Sequence, residues 1–280
     1  MFRQLVKHEL IATRRLVPFI WLATAVIAAI HLIANQIDIQ WLAVTSMIFM
    51  IILAIGQIIM TYAVVVMRYY KNLYGDEGYL THTLPVKAGS LLGSKVLTSF
   101  IWLMLSYLVA GAVLIVVLAA MNSQRDLSLI QMYRELRAAI GFTDSQALRI
   151  AGLVILFIIY SLLLQLAQLF FAMSFGSQSA FHRLGLAGPI ITYLVLNFLL
   201  EMASLVMMVF VPLSLKITLD INGRPTGDLD LVGYGMIEMI RNPQTASPII
   251  GLGGILFTVL AMAALYWGSH RLIERRTSLR

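Results

Sequence analysis

Six long apolar runs, separated by polar connections, organise the chain. A helix crossing the ~30 Å hydrocarbon layer needs about 20 mostly apolar residues at ~1.5 Å rise each. Runs at about 16–34, 41–67, 96–121, 150–175, 188–212 and 248–269 meet this. Backbone groups in lipid must pair internally, so only helices or closed barrels can span it. The runs are continuous and lack the alternation of a barrel strand. The pattern predicts an all-α integral membrane protein: six transmembrane helices in a single domain, 1–280. Arg14 and Arg15 precede the first run, as basic residues precede a secretory signal. Its apolar stretch is too long for a signal core and no convincing small-residue cleavage site follows, so it reads as a retained helix.

The connections carry patterns of their own. In 1–15, Phe2, Leu5, Val6 and Leu10 fall at helical spacing, with Arg3, Gln4, Lys7 and His8 opposite. That predicts an amphipathic amino-terminal interface helix lying flat on the membrane; the alternative is a plain helical leader to the first span. The connection 35–40 is so short that the first two spans must form a tight antiparallel hairpin. Ile130, Tyr133, Leu136 and Ile140 make an apolar stripe in the third connection, and 228–241 (DLDLVGYGMIEMIR) is weakly amphipathic. Both are expected to rest on the outer membrane surface. No internal repeat supports an inverted-repeat transporter.

Composition and charge sharpen this picture. The chain is 60% hydrophobic and 12% charged, against about 45–50% and about 25% for a soluble domain. A soluble fold could not hide so much apolar surface. The net charge of +7 is no nucleic-acid signal, because the basic residues flank apolar runs and form no patch interleaved with aromatics. Positive connections stay in the cytoplasm. Of the 20 Lys and Arg, 13 fall on the side of the termini, and with Asp and Glu subtracted the two sides carry +9 and −1. Both termini are therefore expected to be cytoplasmic. Membrane lipids are the expected surroundings, and nucleic acid is not an expected partner. With no Cys, disulfides, thiolate ligands and thiol nucleophiles are excluded.

Catalytic motifs are approached and missed. Gly89–Lys95 reads GSLLGSK. A phosphate-binding loop needs G-x-x-x-x-G-K-[ST], with the glycines five apart and Lys directly after the second. Here they are four apart, Ser94 intervenes and no strand precedes. His8–Glu9 opens like H-E-x-x-H, but Ala12 stands where the second His belongs. The five histidines are scattered, no G-x-S-x-G occurs, and Gly251, Gly253 and Gly254 suit close helix packing better than a cofactor. No enzyme activity, metal or chain-bound cofactor is expected. Glu201 alone among charged residues sits deep in a span, with Asn197 one turn earlier on the same face. The pair is a candidate translocation path or proton relay; the alternative is a carboxyl group hydrogen-bonded to a neighbouring helix. Gln57, Gln165 and Gln168 read as interhelical hydrogen-bonding groups.

The connection 68–95 is the most patterned. Gly75 and Gly78 allow turns, Asp76 and Glu77 suit a helix start or a basic partner, and Pro85 ends one element before Lys87–Lys95 begins the next. This fits either a docking element or a solvated, capped loop. The basic amino-terminal helix, six spans, cytoplasmic termini and the segment LYGDEGYLTHTLP (Leu73–Pro85) followed by Lys95 together resemble the permeases of bacterial type-2 ABC exporters. The modest fifth connection departs from that family's outer re-entrant helices. The resemblance implies a permease subunit in a bacterial plasma membrane, paired with a second permease chain. Separate cytoplasmic ABC ATPase subunits, holding ATP and Mg, would contact Asp76, Glu77, Gly78, Tyr79, Leu80 and Thr81 in a 68–95 coupling loop. An amphipathic or apolar substrate (peptide, lipid or drug) fits walls with few charges. The competing expectation is a proton-coupled secondary transporter or channel using Glu201.

Overall fold

The computed structural model describes residues 2–37, 39–75, 78, 86–122, 130–131, 133–134, 143–178, 181, 184–185, 187–219, 225–235, 237 and 249–275. The elements, in chain order, are α1 (Phe2–Thr13), α2 (Leu16–Gln36), α3 (Gln40–Tyr74), α4 (Ala88–Asn122), α5 (Asp144–Gly176), α6 (Ala187–Phe210), β1 (Ser214–Leu219), β2 (Pro225–Val232), β3 (Ile249–Gly251) and α7 (Gly253–Arg275). Helices α2 to α7 are six helices long and apolar enough to cross a membrane, which fits a multi-pass membrane protein. Two compact units form: Met1–Leu129 with His270–Arg280, and Ile130–Ser269.

The helices outrun the apolar runs. α3 and α4 have 35 residues each, about 50 Å at 1.5 Å per residue, against about 30 Å of hydrocarbon. Arg68 and Lys95 ended the apolar runs, but they and Lys71 lie within the helices, since long basic side chains tolerate helix well and snorkel at span ends. The connection between the two helices therefore shrinks to 75–87. The Gly75 N–H closes α3 by donating to the Tyr70 carbonyl at 3.0 Å.

In the first unit α2 and α3 pair as the hairpin that the three-residue link 37–39 requires. α2 buries Val17, Thr24 and His31, seven residues apart, and α3 buries Ser46, Met50, Gln57, Thr61, Val65, Tyr69 and Leu73. This is the narrow seam of near-antiparallel helices. α4 closes it, with Val113 and Val117 packed on Met50. The seam's polar side chains bond one another. Thr24 Oγ1 donates to Gln57 Oε1 at 3.0 Å, and Gln57 Nε2 donates to the Ser106 carbonyl at 3.3 Å. Thr61 and Ser106 share a hydroxyl contact at 2.9 Å, and Trp21 Nε1 donates to Ser106 Oγ at 3.0 Å. Interhelical bonds of this kind contribute roughly 0.6–2 kcal/mol each. Gln57 thus has the bridging role read from the sequence.

In the second unit α5 begins in a capping box of Thr143 and Gln146. It packs on α6 through Gly176, where a Cβ would lie 2.5 Å from Pro189 Cα. The all-α expectation needs one correction. The residues after α6 form a three-stranded antiparallel sheet in the order β2-β1-β3, with Ser214 opposite both Val232 and Gly251. The stretch 228–241, read as an amphipathic surface element, contributes 228–232 to β2. SLKITL and DLDLV alternate with period two, a strand pattern too short to stand out beside long helical runs. The sixth apolar run is likewise divided: Ile249–Gly251 is β3 and the helix starts at Gly253. Leu136 and Ile140 of the third-connection stripe lie outside the described residues.

Gly251, Gly253 and Gly254 do the close packing expected of them. A Cβ on Gly253 would lie 2.1 Å from the Met207 carbonyl oxygen, and one on Gly254 2.8 Å from Ser204 Oγ. Gly253→Ala should therefore destabilise the protein by about 1–3 kcal/mol, the usual cost of overpacking. At Gly111 of α4 a Cβ meets nothing within 4 Å, so Gly111→Ala should be neutral or stabilising by up to about 1 kcal/mol. Thermal unfolding of both variants in one detergent checks this; equal midpoints would refute the close-packing role.

Candidate functional site

In α1, Phe2, Val6, Glu9 and Thr13 recur at the three- and four-residue spacing of one helix face. Glu9 therefore points with the apolar stripe into the first unit, not out with Arg3, Gln4, Lys7 and His8, which are exposed. There its carboxylate meets two cations. Arg68 Nε of α3 donates to Oε2 at 2.6 Å, and Lys95 Nζ of α4 donates to Oε1 at 2.8 Å. Asn72 Nδ2 adds a bond to Oε1 at 3.3 Å. One helical turn later Trp102 Nε1 donates to Thr13 Oγ1 at 2.6 Å, while that hydroxyl donates to the Glu9 carbonyl at 2.9 Å. The Trp21 ring packs against Trp102 with centroids 5.7 Å apart.

The Lys95 side chain is 3% exposed and that of Glu9 13%. Ions so far from water are stable only when closely paired. Burial by itself raises the Glu9 pKa, but the charges and hydrogen bonds of Lys95 and Arg68 outweigh it and hold the carboxyl below its ordinary 4.5. A cavity of about 20 Å³ lies among Glu9, Arg68, Lys95, Thr98, Ser99 and Trp102, room for about one water. Arg68 and Lys95 stand on opposite flanks of the 75–87 connection. One carboxylate thus ties α1 to the helix entering that connection and to the helix leaving it.

The near-match to a phosphate loop gains a packing role. Gly89–Lys95 is helical within α4. A Cβ on Gly89 would touch His270 Nε2 at 3.3 Å, and one on Gly93 the Phe2 ring at 3.4 Å. The glycines four apart seat a neighbouring side chain each, Ser94 Oγ donates to the Leu91 carbonyl at 2.8 Å, and Lys95 takes Glu9. Glu9 itself escaped sequence reasoning as a site: it entered only as half of a failed metal motif and as one charge in the loop balance. The available signal was an acid placed on the apolar stripe of a basic helix.

In the second unit a groove of about 280 Å³ opens between α5, α6 and α7. Glu201 lies on its wall, with Gln168, Ser204 and Tyr160, among apolar neighbours such as Phe157 and Leu164. Asn197, one turn earlier, is half-buried and does not line it. The hydrogen bond from Glu201 to a neighbouring helix, one of the two expectations, is absent among the described residues. Gln168 likewise bonds no described residue, unlike Gln57. Tyr160 and Thr258 share a hydroxyl contact across the groove. Of the expected ATPase contact, Asp76, Glu77, Tyr79, Leu80 and Thr81 lie outside the described residues. Gly78 is buried, and its N–H donates to the Gly75 carbonyl at 2.9 Å.

No family model, curated protein or solved structure matches the chain.

Removing one partner of a buried ion cluster typically costs about 3–5 kcal/mol, because it strands the remaining charge. Glu9→Ala should free α1, raising hydrogen exchange at 2–13 in nanodiscs by two or more orders of magnitude while α6 exchange stays unchanged. Acid should do the same to the wild type. The folded-state pKa of Glu9 is depressed, so its stabilisation is fully present above about 4.5 and is lost as pH falls through the lower folded value. Exchange at 2–13, normalised to the intrinsic rate at each pH, should rise below that point in the wild type and be pH-independent in Glu9→Ala. Equal profiles would refute the clamp.

Proposed function

We propose that the chain is the membrane-spanning permease subunit of an ATP-driven ABC exporter in a bacterial plasma membrane. It would pair with a second permease chain and be powered by separate cytoplasmic ATPase subunits that hold ATP and Mg. The observation that carries this reading is the Glu9 clamp. Arg68 and Lys95 flank the short connection 75–87, and both bond the one carboxylate that anchors α1. A partner pressing on that connection moves α3, α4 and α1 together, which is what conversion of ATP-driven closure into helix movement requires. The charge asymmetry between connections supports cytoplasmic termini. The exposed Arg3, Lys7 and His8 suit α1 to the membrane interface. Asp76 to Thr81 is the ATPase contact, with Glu77 as polar anchor and Tyr79 and Leu80 as the residues that fill a pocket. Peptides, lipids and drugs remain the substrate classes that fit walls of this character.

A second reading is favoured by one observation, the position of Glu201 on a groove wall. It makes the chain a proton-coupled secondary transporter or channel. Proton-dependent flux in liposomes holding this chain alone would select it.

Reporter fusions at residue 280 and residue 125 should land on opposite sides of the membrane; same-side results would overturn the topology. Truncating an interface anchor typically costs about 2 kcal/mol or more, roughly a thirtyfold loss of affinity. Glu77→Ala with Tyr79→Ala, at normal expression and insertion, should therefore abolish co-purification of the ATPase. Wild-type co-purification and wild-type transport-stimulated hydrolysis together would make 75–87 a capped turn and remove the coupling assignment.

A further inference from the structure

We infer that the groove of the second unit is a recognition site for a lipophilic ammonium ion, held by Glu201 against the rings of Phe157 and Tyr160. That such a cation is the exported cargo rests on the exporter reading; that it binds here does not.

Glu201 lies nine residues before the end of α6, a helix whose Leu194, Phe198, Met202 and Leu205 are exposed. It is itself exposed on the groove wall, and no described residue hydrogen-bonds or ion-pairs with it. A carboxylate at membrane depth is costly unless a counter-charge meets it. In the first unit the carboxylate of Glu9 is met by Arg68 and Lys95. Among the described residues no Lys, Arg or His lines the groove around Glu201, which leaves the carboxylate open to a cation that enters the groove.

The other wall says what kind of cation. Phe157 and Tyr160 present two rings, centroids 6.1 Å apart and tilted by 44°. The Tyr160 hydroxyl, fixed by Thr258, keeps its ring from rotating away. Rings at an angle beside a carboxylate suit a bulky organic cation, whose charge is spread over alkyl groups and attracted by the ring faces. A bare metal ion is the wrong occupant, since hard divalent cations take six or more oxygen ligands and this wall supplies one carboxylate. Gln168, 7% exposed and bonded to no described residue, adds a polar group aimed at the same space. The groove's volume of about 280 Å³ sits at the small end of ligand pockets, which start at about 300 Å³. It holds an ammonium head and one ring, and a longer tail would extend into lipid along the exposed face of α6.

The test uses the full chain in lipid nanodiscs, with benzyltrimethylammonium and its neutral carbon isostere neopentylbenzene as probes. The wild type should bind the cation at least about tenfold more tightly than the isostere, the contribution of a single favourable charge contact. Glu201→Gln should lose that preference and keep isostere binding. A readout needing no variant is modification of Glu201 by dicyclohexylcarbodiimide, read by mass spectrometry. At a concentration that fills the groove with the cation but leaves it largely free of the more weakly bound isostere, the cation should slow it and the isostere should not. Equal binding of the two probes, no protection of Glu201, or an undiminished preference in Glu201→Gln overturns the site. So does a groove closed by a second copy that admits neither probe. Cation binding and protection without a co-purifying ATPase would keep the site and remove the exporter reading; the opposite pattern would remove the site and keep the exporter.

Discussion

Hydrocarbon offers no hydrogen bonds, so every polar group placed in it must find a partner within the protein or carry a penalty of several kcal/mol. Backbone amides meet that demand by forming α2 to α7, and the side chains of the first unit meet it by bonding one another across helices. Gln57 is the centre of that arrangement, receiving Thr24 from α2 and reaching the Ser106 carbonyl of α4. Leucines alone would have let the three helices slide, since lipid tails are as apolar as the helices themselves. The bonds fix which turn of one helix faces which turn of the next.

The same demand, applied to ions, shapes the end of the unit where α1 docks. Bringing Glu9, Arg68 and Lys95 out of water costs more than a hydrophobic contact of the same size, and such clusters are weak contributors to net stability. Their contribution is directional. A carboxylate with two cations bonded at 2.6 and 2.8 Å has one acceptable position. Gly93 beneath Phe2 and Thr13 beneath Trp102 set the height of α1 at either end. α1 is thereby fastened to α3 and α4 through Glu9 and Thr13.

Hydropathy made the six spans legible, because twenty apolar residues in a row have few other uses. It misplaced their ends. Arg68 and Lys95 interrupt an apolar average but not a helix, so α3 and α4 continue through them into the region read as a loop. The sheet was hidden for the opposite reason: β1 and β3 have six and three residues, too short for alternation to outweigh neighbouring helical patterns. Glu201 was visible because a charge in a span is rare, whereas its groove was not, since walls from α5, α6 and α7 come together only in three dimensions. Glu9 was in plain view but was counted as charge and not as geometry.

The sheet that escaped notice is also what ends the groove. β3 pairs with β1 immediately after α6, placing Gly251 opposite Ser214. The missing Cβ at Gly251, which would fall 2.6 Å from the Met208 carbonyl oxygen, lets this strand lie against α6. Ile250 and Gly251 then form one end of the groove, while Gly253 and Gly254 bring the first turn of α7 onto Met207 and Ser204. Thr258 follows one turn later and meets Tyr160. The orientation of the Tyr160 ring thus descends from a three-residue strand and a run of glycines, not from the long helices that dominate the sequence. A displacement of the sheet would be felt first at the wall facing Glu201, which makes the small β element the part of this helical protein best placed to set what the Glu201 carboxylate meets.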